Sequence, residues 1–189
     1  NEFHIRELTR LSKCTYSYVW STLNRFQEEG LLNRRNAADS SFFKANLGNE
    51  MLLKVFEMFE LERKKFFFEN NKSISRIIDK FTQNALNDSN KQIQLIILYG
   101  SVAREKWTNE SDIDILLVSV QDDNKLASIV KKAKEEASSL LELSAITVDI
   151  TKFSDGLHKQ TEFYKTIFKD RIILFNEFLF WRIIAEGEN

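Results

Sequence analysis

Leu98-Tyr99-Gly100-Ser101-Val102-Ala103-Arg104-Glu105-Lys106-Trp107-Thr108-Asn109-Glu110-Ser111-Asp112-Ile113-Asp114-Ile115-Leu116-Leu117-Val118 is the stretch whose reading decides the fold. It opens inside a continuous apolar run, Ile93 to Tyr99, rich in β-branched residues and suited to a buried strand. The run stops at Gly100-Ser101, a short helical segment covers Val102 to Lys106, and a polar loop (Thr108-Asn109-Glu110-Ser111) follows. Asp112-Ile113-Asp114 then leads into a second strand through Ile115-Leu116-Leu117-Val118. Residues two apart on a strand share a face, so Asp112 and Asp114 project together while Ile113 points to the core. Two such carboxylates repel unless a cation lies between them, and hard oxygen ligands suit Mg²⁺, which takes one or two carboxylates plus waters and phosphates. Glycine at a strand end permits close backbone approach. The N–H groups of Gly100 and Ser101, with the Ser101 hydroxyl, make an anion site that Arg104 can supplement. A third carboxylate, Asp149, stands in the strand-like Ala145-Ile146-Thr147-Val148-Asp149-Ile150. If that strand pairs beside the Asp112 strand, Asp149 reaches the same metal site.

Composition bounds the rest. With 189 residues, 43% hydrophobic and 29% charged, the chain is ordinary for one mid-sized or two small globular domains. Its formal net charge of -1 excludes attachment to nucleic acid by global charge, though not by a local basic patch. A single cysteine, Cys14, excludes an intramolecular disulfide, and a reducing cytoplasm fits. Cys14 with the distant His4 and His158 does not make a structural zinc site. The most apolar late stretch, Phe178 to Ile184, is far below the roughly 20 residues of a membrane span, so no membrane partner is expected. The chain begins at Asn1 without a signal-like segment, as a trimmed chain would.

In the first third, Ile5, Leu8 and Leu11 fall at helical spacing, Lys13-Cys14-Thr15 forms a turn, and Thr15 or Ser17 caps a second helix with Val19, Leu23 and Phe26 on its inner side. Cys14 is expected to pack as a small apolar residue. Gly30 ends the helix, and two short strands, Leu31 to Asn36 and Ser41 to Asn46, flank the turn Ala37-Ala38-Asp39. The stretch His4 to Leu32 resembles prokaryotic winged helix-turn-helix regulators, with Lys13 where such turns often carry glycine and the usual first helix falling before Asn1. That resemblance implies DNA contacts from Tyr16, Ser17, Trp20, Ser21, Asn24 and Arg25 on the second helix and from Arg34 and Arg35 on the wing. Seven basic against five acidic side chains from Asn1 to Gly48 leave only a weak electrostatic footprint for DNA.

From Glu50 to Glu69 a long helix is expected, its stripe Leu52, Phe56, Phe59 and Phe66 buried and Glu60, Glu62, Arg63 and Lys64 on the other face. The stripe packs on the next domain or pairs two copies as a homodimer. Ser73 is placed to cap a further helix with Ile74, Ile77, Ile78 and Phe81 inside. Leu126, Ile129, Val130, Ala133, Ala137, Leu140 and Leu141 mark another helix over Lys125 to Leu143.

Residues 73 to 177 resemble the nucleotidyltransferase superfamily that includes DNA polymerase β, specifically its minimal branch. Gly100, Ser101, Ala103, Arg104, Ser111, Asp112 and Asp114 match its Gly-Ser and Asp-x-Asp pattern, and Asp149 is the best match for its third acid. Phe163 to Glu177 resembles its closing helix and strand, while Glu105 stands where many members have glycine. The fold class implied is α/β (α+β): a winged helix-turn-helix over 1–48, a connecting helix over 49–71, and a small mixed-sheet nucleotidyltransferase domain over 72–189. The function implied is Mg²⁺-dependent transfer of a nucleoside monophosphate from a nucleoside triphosphate to a hydroxyl acceptor, with Asp112, Asp114 and Asp149 as catalytic metal ligands and Gly100, Ser101 and Arg104 on the nucleotide. A HEPN-type protein is the acceptor that the minimal branch implies. The alternative is a DNA-binding regulator whose nucleotidyltransferase-like domain senses a nucleotide without turning it over.

Overall fold

The computed structural model describes residues 2–37, 40–108, 110–121, 124–137 and 141–187. Ala38 and Asp39 of the expected turn, Asn109 of the polar loop and Leu140 lie outside them. The chain separates into two compact units, Asn1–Phe56 and Glu57–Gly187.

The first unit holds β1 (Phe3–His4), α1 (Ile5–Ser12), α2 (Tyr16–Glu28), β2 (Leu32–Ala37), β3 (Ser40–Ala45) and the start of α3 (Glu50–Asn70). Its antiparallel sheet has the order β1-β3-β2. His4 caps α1 by accepting the Arg6 N–H at 3.1 Å. Ile5, Val19, Leu23 and Phe43 form the core, with Leu8, Trp20 and Leu32 packed on it. Two expectations fail here. Leu11 is exposed, because α1 ends one residue later and Lys13 turns the chain left-handed at φ 56°. Cys14, expected to pack inside, follows that turn and is exposed as well.

In the second unit come α4 (Lys72–Asp88), β4 (Ile93–Tyr99), α5 (Gly100–Ala103), β5 (Ile113–Ser119), α6 (Asn124–Ala137), β6 (Leu143–Asp149), α7 (Ile150–His158), α8 (Glu162–Asp170), β7 (Ile172–Phe175) and α9 (Glu177–Glu186). The sheet order is β6-β5-β4-β7, with β4 antiparallel to both β5 and β7 and β5 parallel to β6. This is the mixed α/β architecture that the apolar runs predict. The two central strands are apolar without interruption because both faces are covered. Ile96, Leu98, Ile113, Ile115 and Leu117 pack with Ile74, Ile78 and Phe81 of α4 and Leu126, Val130 and Ala133 of α6. Leu95, Ile97, Leu116 and Val118 alternate onto the opposite face, also buried, where α7 and α9 lie. The cap of α4 is Asn71 instead of Ser73, which leaves the inner face of that helix as expected. Among the described residues no helix is long and apolar enough to cross a membrane.

The phase of α3 differs from the expectation. Phe59 and Phe66 are 59% and 63% exposed, whereas Leu53, Glu60 and Phe67, seven residues apart, are buried. Glu60 had the look of a solvated residue. It is carried inside by Arg171, whose Nη2 donates to Glu60 Oε1. The Arg171 guanidinium also lies over the Phe168, Phe180 and Trp181 rings at 4.7, 4.6 and 5.1 Å. One turn on, Lys64 pairs with Glu177 and donates to the Leu174 carbonyl at 3.3 Å. These ties fix the Glu57–Asn70 part of α3 to β7, α8 and α9. Removing one partner strands the other charge in the interior, so Arg171→Ala is expected to lower stability by about 3–5 kcal/mol, read from the denaturant midpoint.

Candidate functional site

β4 and β5 run antiparallel with Tyr99 opposite Asp114, so the end of one strand and the start of the other meet at one edge of the sheet. The chain turns there from β4 directly into α5. Gly100 makes the turn at φ +76°, a conformation L side chains rarely adopt. A Cβ at this position would lie 2.2 Å from Asp114 Oδ2 and 3.1 Å from its Cγ. The Asp114 carboxylate therefore rests on the Gly100 Cα, a place no other residue leaves open. Behind the turn, Arg104 N–H donates to the Gly100 carbonyl at 3.3 Å and Lys106 N–H to the Ser101 carbonyl at 3.0 Å. Glu105 also sits in the left-handed region at φ 56°, a conformation that glycine adopts at no steric cost.

Asp112 is exposed just ahead of β5 and Asp114 is half-buried at its second residue. Burial, and then the neighbouring Asp112 charge, push the Asp114 carboxyl above its ordinary value, while Arg104 opposes them. Tyr99, whose ring meets Phe163 edge-on at 5.6 Å, is raised by burial and then by Asp114. Two carboxylates in mutual repulsion, one of them partly desolvated, are a donor set of hard oxygens that a divalent cation relieves, so Asp112 and Asp114 fit Mg²⁺ chemically. Arg104 Nη1 donates to Asp170 Oδ2 at 2.8 Å, and Asp170 is buried at the end of α8. Asp170 escaped the sequence reading because its link to the site is purely tertiary, across 66 residues.

Asp149 does not join the pair. The parallel register sets Asp114 against Ser144 and Asp149 against Ser119, at the opposite end of β5. Five residues of strand separate Ser144 from Asp149, roughly 16 Å at the usual rise. Among the described residues no group of three or more His, Cys, Asp or Glu side chains is placed to hold a metal. Asp149 instead caps α7. It accepts from Thr151 Oγ1, from Lys152 N–H at 2.9 Å, and from Lys152 Nζ at 2.9 Å. These bonds hold its carboxyl far below the usual range.

The residues expected on DNA divide in two. Tyr16, Ser17, Ser21 and Arg25 are exposed on α2. Trp20 is half-buried between Phe43 and Arg34, whose guanidinium lies 4.6 Å over the indole. Arg34 also donates to Asn36, Ser41 and Asn24, which is how Asn24 comes to be engaged. Arg35 pairs with Glu2 at 2.6 Å and lies over Phe42. Trp20, Asn24, Arg34 and Arg35 thus make contacts within the first unit, the first three half-buried and Arg35 exposed.

A capping role for Asp149 makes a sharp prediction. Asp149→Ala is expected to lower the melting temperature yet keep any pyrophosphate-releasing activity. Because the folded carboxyl is shifted down from 3.8, its stabilisation is present above that pH and disappears as pH falls through the lower folded value. Melting temperatures of the two proteins should therefore differ most near neutral pH and begin to converge only as the pH falls below about 4.

The family described as "Nucleotidyltransferase domain" matches residues 74–174. A solved structure described as a "putative nucleotidyltransferase from Sulfolobus solfataricus" is 17% identical, with 61% of this chain and 86% of that one covered. Its TM-score of 0.37 is too low to establish a common fold. No curated protein matches the chain. The family match spans more than half of the 189 residues and contains both the Gly100-Ser101 turn and the Asp112/Asp114 strand, so the chain belongs to the nucleotidyltransferase domain family.

Proposed function

We propose that the second unit transfers a nucleoside monophosphate from a nucleoside triphosphate to a hydroxyl acceptor and releases pyrophosphate. The observation that carries the reading is the seating of the Asp114 carboxylate on Gly100, which joins the phosphate-facing turn to the acidic strand at one point. Asp112 and Asp114 hold a divalent cation, Mg²⁺ by their chemistry, which when bound neutralises charge on the transferring phosphate. The Ser101 hydroxyl and the backbone N–H groups at this turn bind the β- and γ-phosphates, and Arg104 adds positive charge beside them. The acceptor oxygen forms a bond to the α-phosphorus as the bond to the β-phosphate oxygen breaks in line, and the acceptor proton passes to water. In a pyrophosphate-release assay with the four triphosphates and Mg²⁺, Asp112→Asn and Asp114→Asn should each cost at least about 100-fold. Equal turnover in both variants would contradict the assignment.

For the first unit the reading is a winged-helix module that docks on DNA through the exposed Tyr16, Ser17, Ser21 and Arg25. Its support is the polar, solvent-facing side of α2. Retention of duplex DNA that is lost in Arg25→Ala is the outcome expected, and retention unchanged by that substitution would contradict it.

A further inference from the structure

A strand at the edge of a sheet offers its outer main-chain groups to any chain that can pair with them, and folded proteins blunt such edges with charge, brevity or bulges. In the first unit β1 is only Phe3–His4, and β2 carries Arg34 and Arg35. In the second, β7 is only Ile172–Phe175, and its ladder with β4 shifts register between Ile96 and Ile97. β6 has none of these devices. It runs from Leu143 to Asp149 without proline, lysine or arginine, and its register with β5 is unbroken. Among the described residues no strand pairs with its outer side. Its one charge, Asp149, is held in the cap of α7. The Ile113 N–H donates to the Glu142 carbonyl at 2.8 Å, so in this parallel ladder the even-numbered residues of β6 bond to β5. The main-chain groups of the odd-numbered residues, Leu143 and Ala145 among them, therefore lie on the outer side. Ile146 is 40% exposed on one face of the strand. Ala145 and Thr147 point to the other face, where with Val130, Lys131 and Glu135 of α6 they line an open groove of about 430 Å³.

We infer that two copies of the chain join through β6, antiparallel about a two-fold axis at Ile146, into one continuous sheet. The occupant is a second copy because the strand is complementary to its own reverse. Reversal about Ile146 sets Ser144 opposite Val148 and Leu143 opposite Asp149, so no like charges face each other. It also sets odd-numbered residues opposite odd-numbered ones, and the outward main-chain groups on either side of Ile146 come level to exchange hydrogen bonds. Ile146 meets its own copy at a non-hydrogen-bonded position, where side chains approach most closely, and its exposed surface is covered. In the groove Lys131 and Glu135 stand one helical turn apart, so reversing α6 brings each lysine toward the other copy's glutamate. A contact of this kind is isologous and closes at two copies. A foreign peptide would use the main-chain edge without calling on this self-match.

Sedimentation velocity of the full chain over a concentration series reads the association. Wild type is expected to approach twice its 22.2 kDa mass as concentration rises through the micromolar range. Ile146→Lys and Ile146→Glu each place like charges on the axis and should raise the dissociation constant at least about tenfold. Mixed in equal amounts, the two variants should re-associate, because lysine then faces glutamate. Phe59→Lys/Phe66→Lys, on the exposed face of α3, should sediment as wild type does. Hydrogen exchange needs no variant: the Ala145 amide should be protected in concentrated wild type and exchange faster on dilution. A wild-type chain that stays monomeric overturns the inference, as does a dimer that survives both Ile146 substitutions or is abolished by the α3 pair. Loss in both Ile146 variants without recovery on mixing overturns it too, and so does an Ala145 amide that exchanges equally fast at every concentration.

Discussion

The contact between the Asp114 carboxylate and the Gly100 Cα is the constraint on which the site depends. It requires φ +76° at Gly100, no side chain there, and Tyr99 level with Asp114 in the β4–β5 ladder. Each condition rests on a different layer of the chain. The backbone turn needs glycine, the register needs the two apolar strands, and the strands need helices on both faces to bury their side chains. Partial burial of Asp114 follows from the same seating, and with it the repulsion from Asp112 that makes the pair a natural host for a cation.

A second interaction, away from the Asp112/Asp114 pair, holds the end of α8 that carries the partner of Arg104. Glu60 and Arg171 meet in the interior, and the residue before Arg171 is Asp170, the partner of Arg104. The end of α8 is thereby fixed from both sides. Buried ion pairs of this kind are seldom net stabilisers relative to apolar packing, so their value here lies in geometry. The Glu60–Arg171 pair thereby fixes Asp170, the partner of Arg104.

How much of this was legible in the sequence depends on whether the signal was local. The strands Ile93–Tyr99 and Ile113–Ser119, the turn at Gly100 and the common face of Asp112 and Asp114 are written in short-range pattern, and the fold follows from them. Register between distant strands is not. The Asp149 strand does pair beside β5, but in a parallel register that puts Asp149 five positions along from Ser144, the partner of Asp114. A local clue existed, since an Asp directly ahead of a helical segment reads as an N-cap. Polarity misled in α3, where counting Glu60 as solvent-facing rotated the stripe toward Phe59 and Phe66. Only its distant partner Arg171 explains why that carboxylate is inside. Trp20 of α2 and Arg34 of β2 likewise meet only in the fold, where the guanidinium stacks on the half-buried indole.

The central claim is that Asp112 and Asp114, with the Gly100 turn, form a nucleotide site that works through a divalent cation. Calorimetric titration of the four nucleoside triphosphates with Mg²⁺, into wild type and into Asp112→Ala/Asp114→Ala, tests it most directly. The account predicts cation-dependent binding to wild type that the double variant loses. Absence of binding to wild type, or equal binding by the variant, would contradict it.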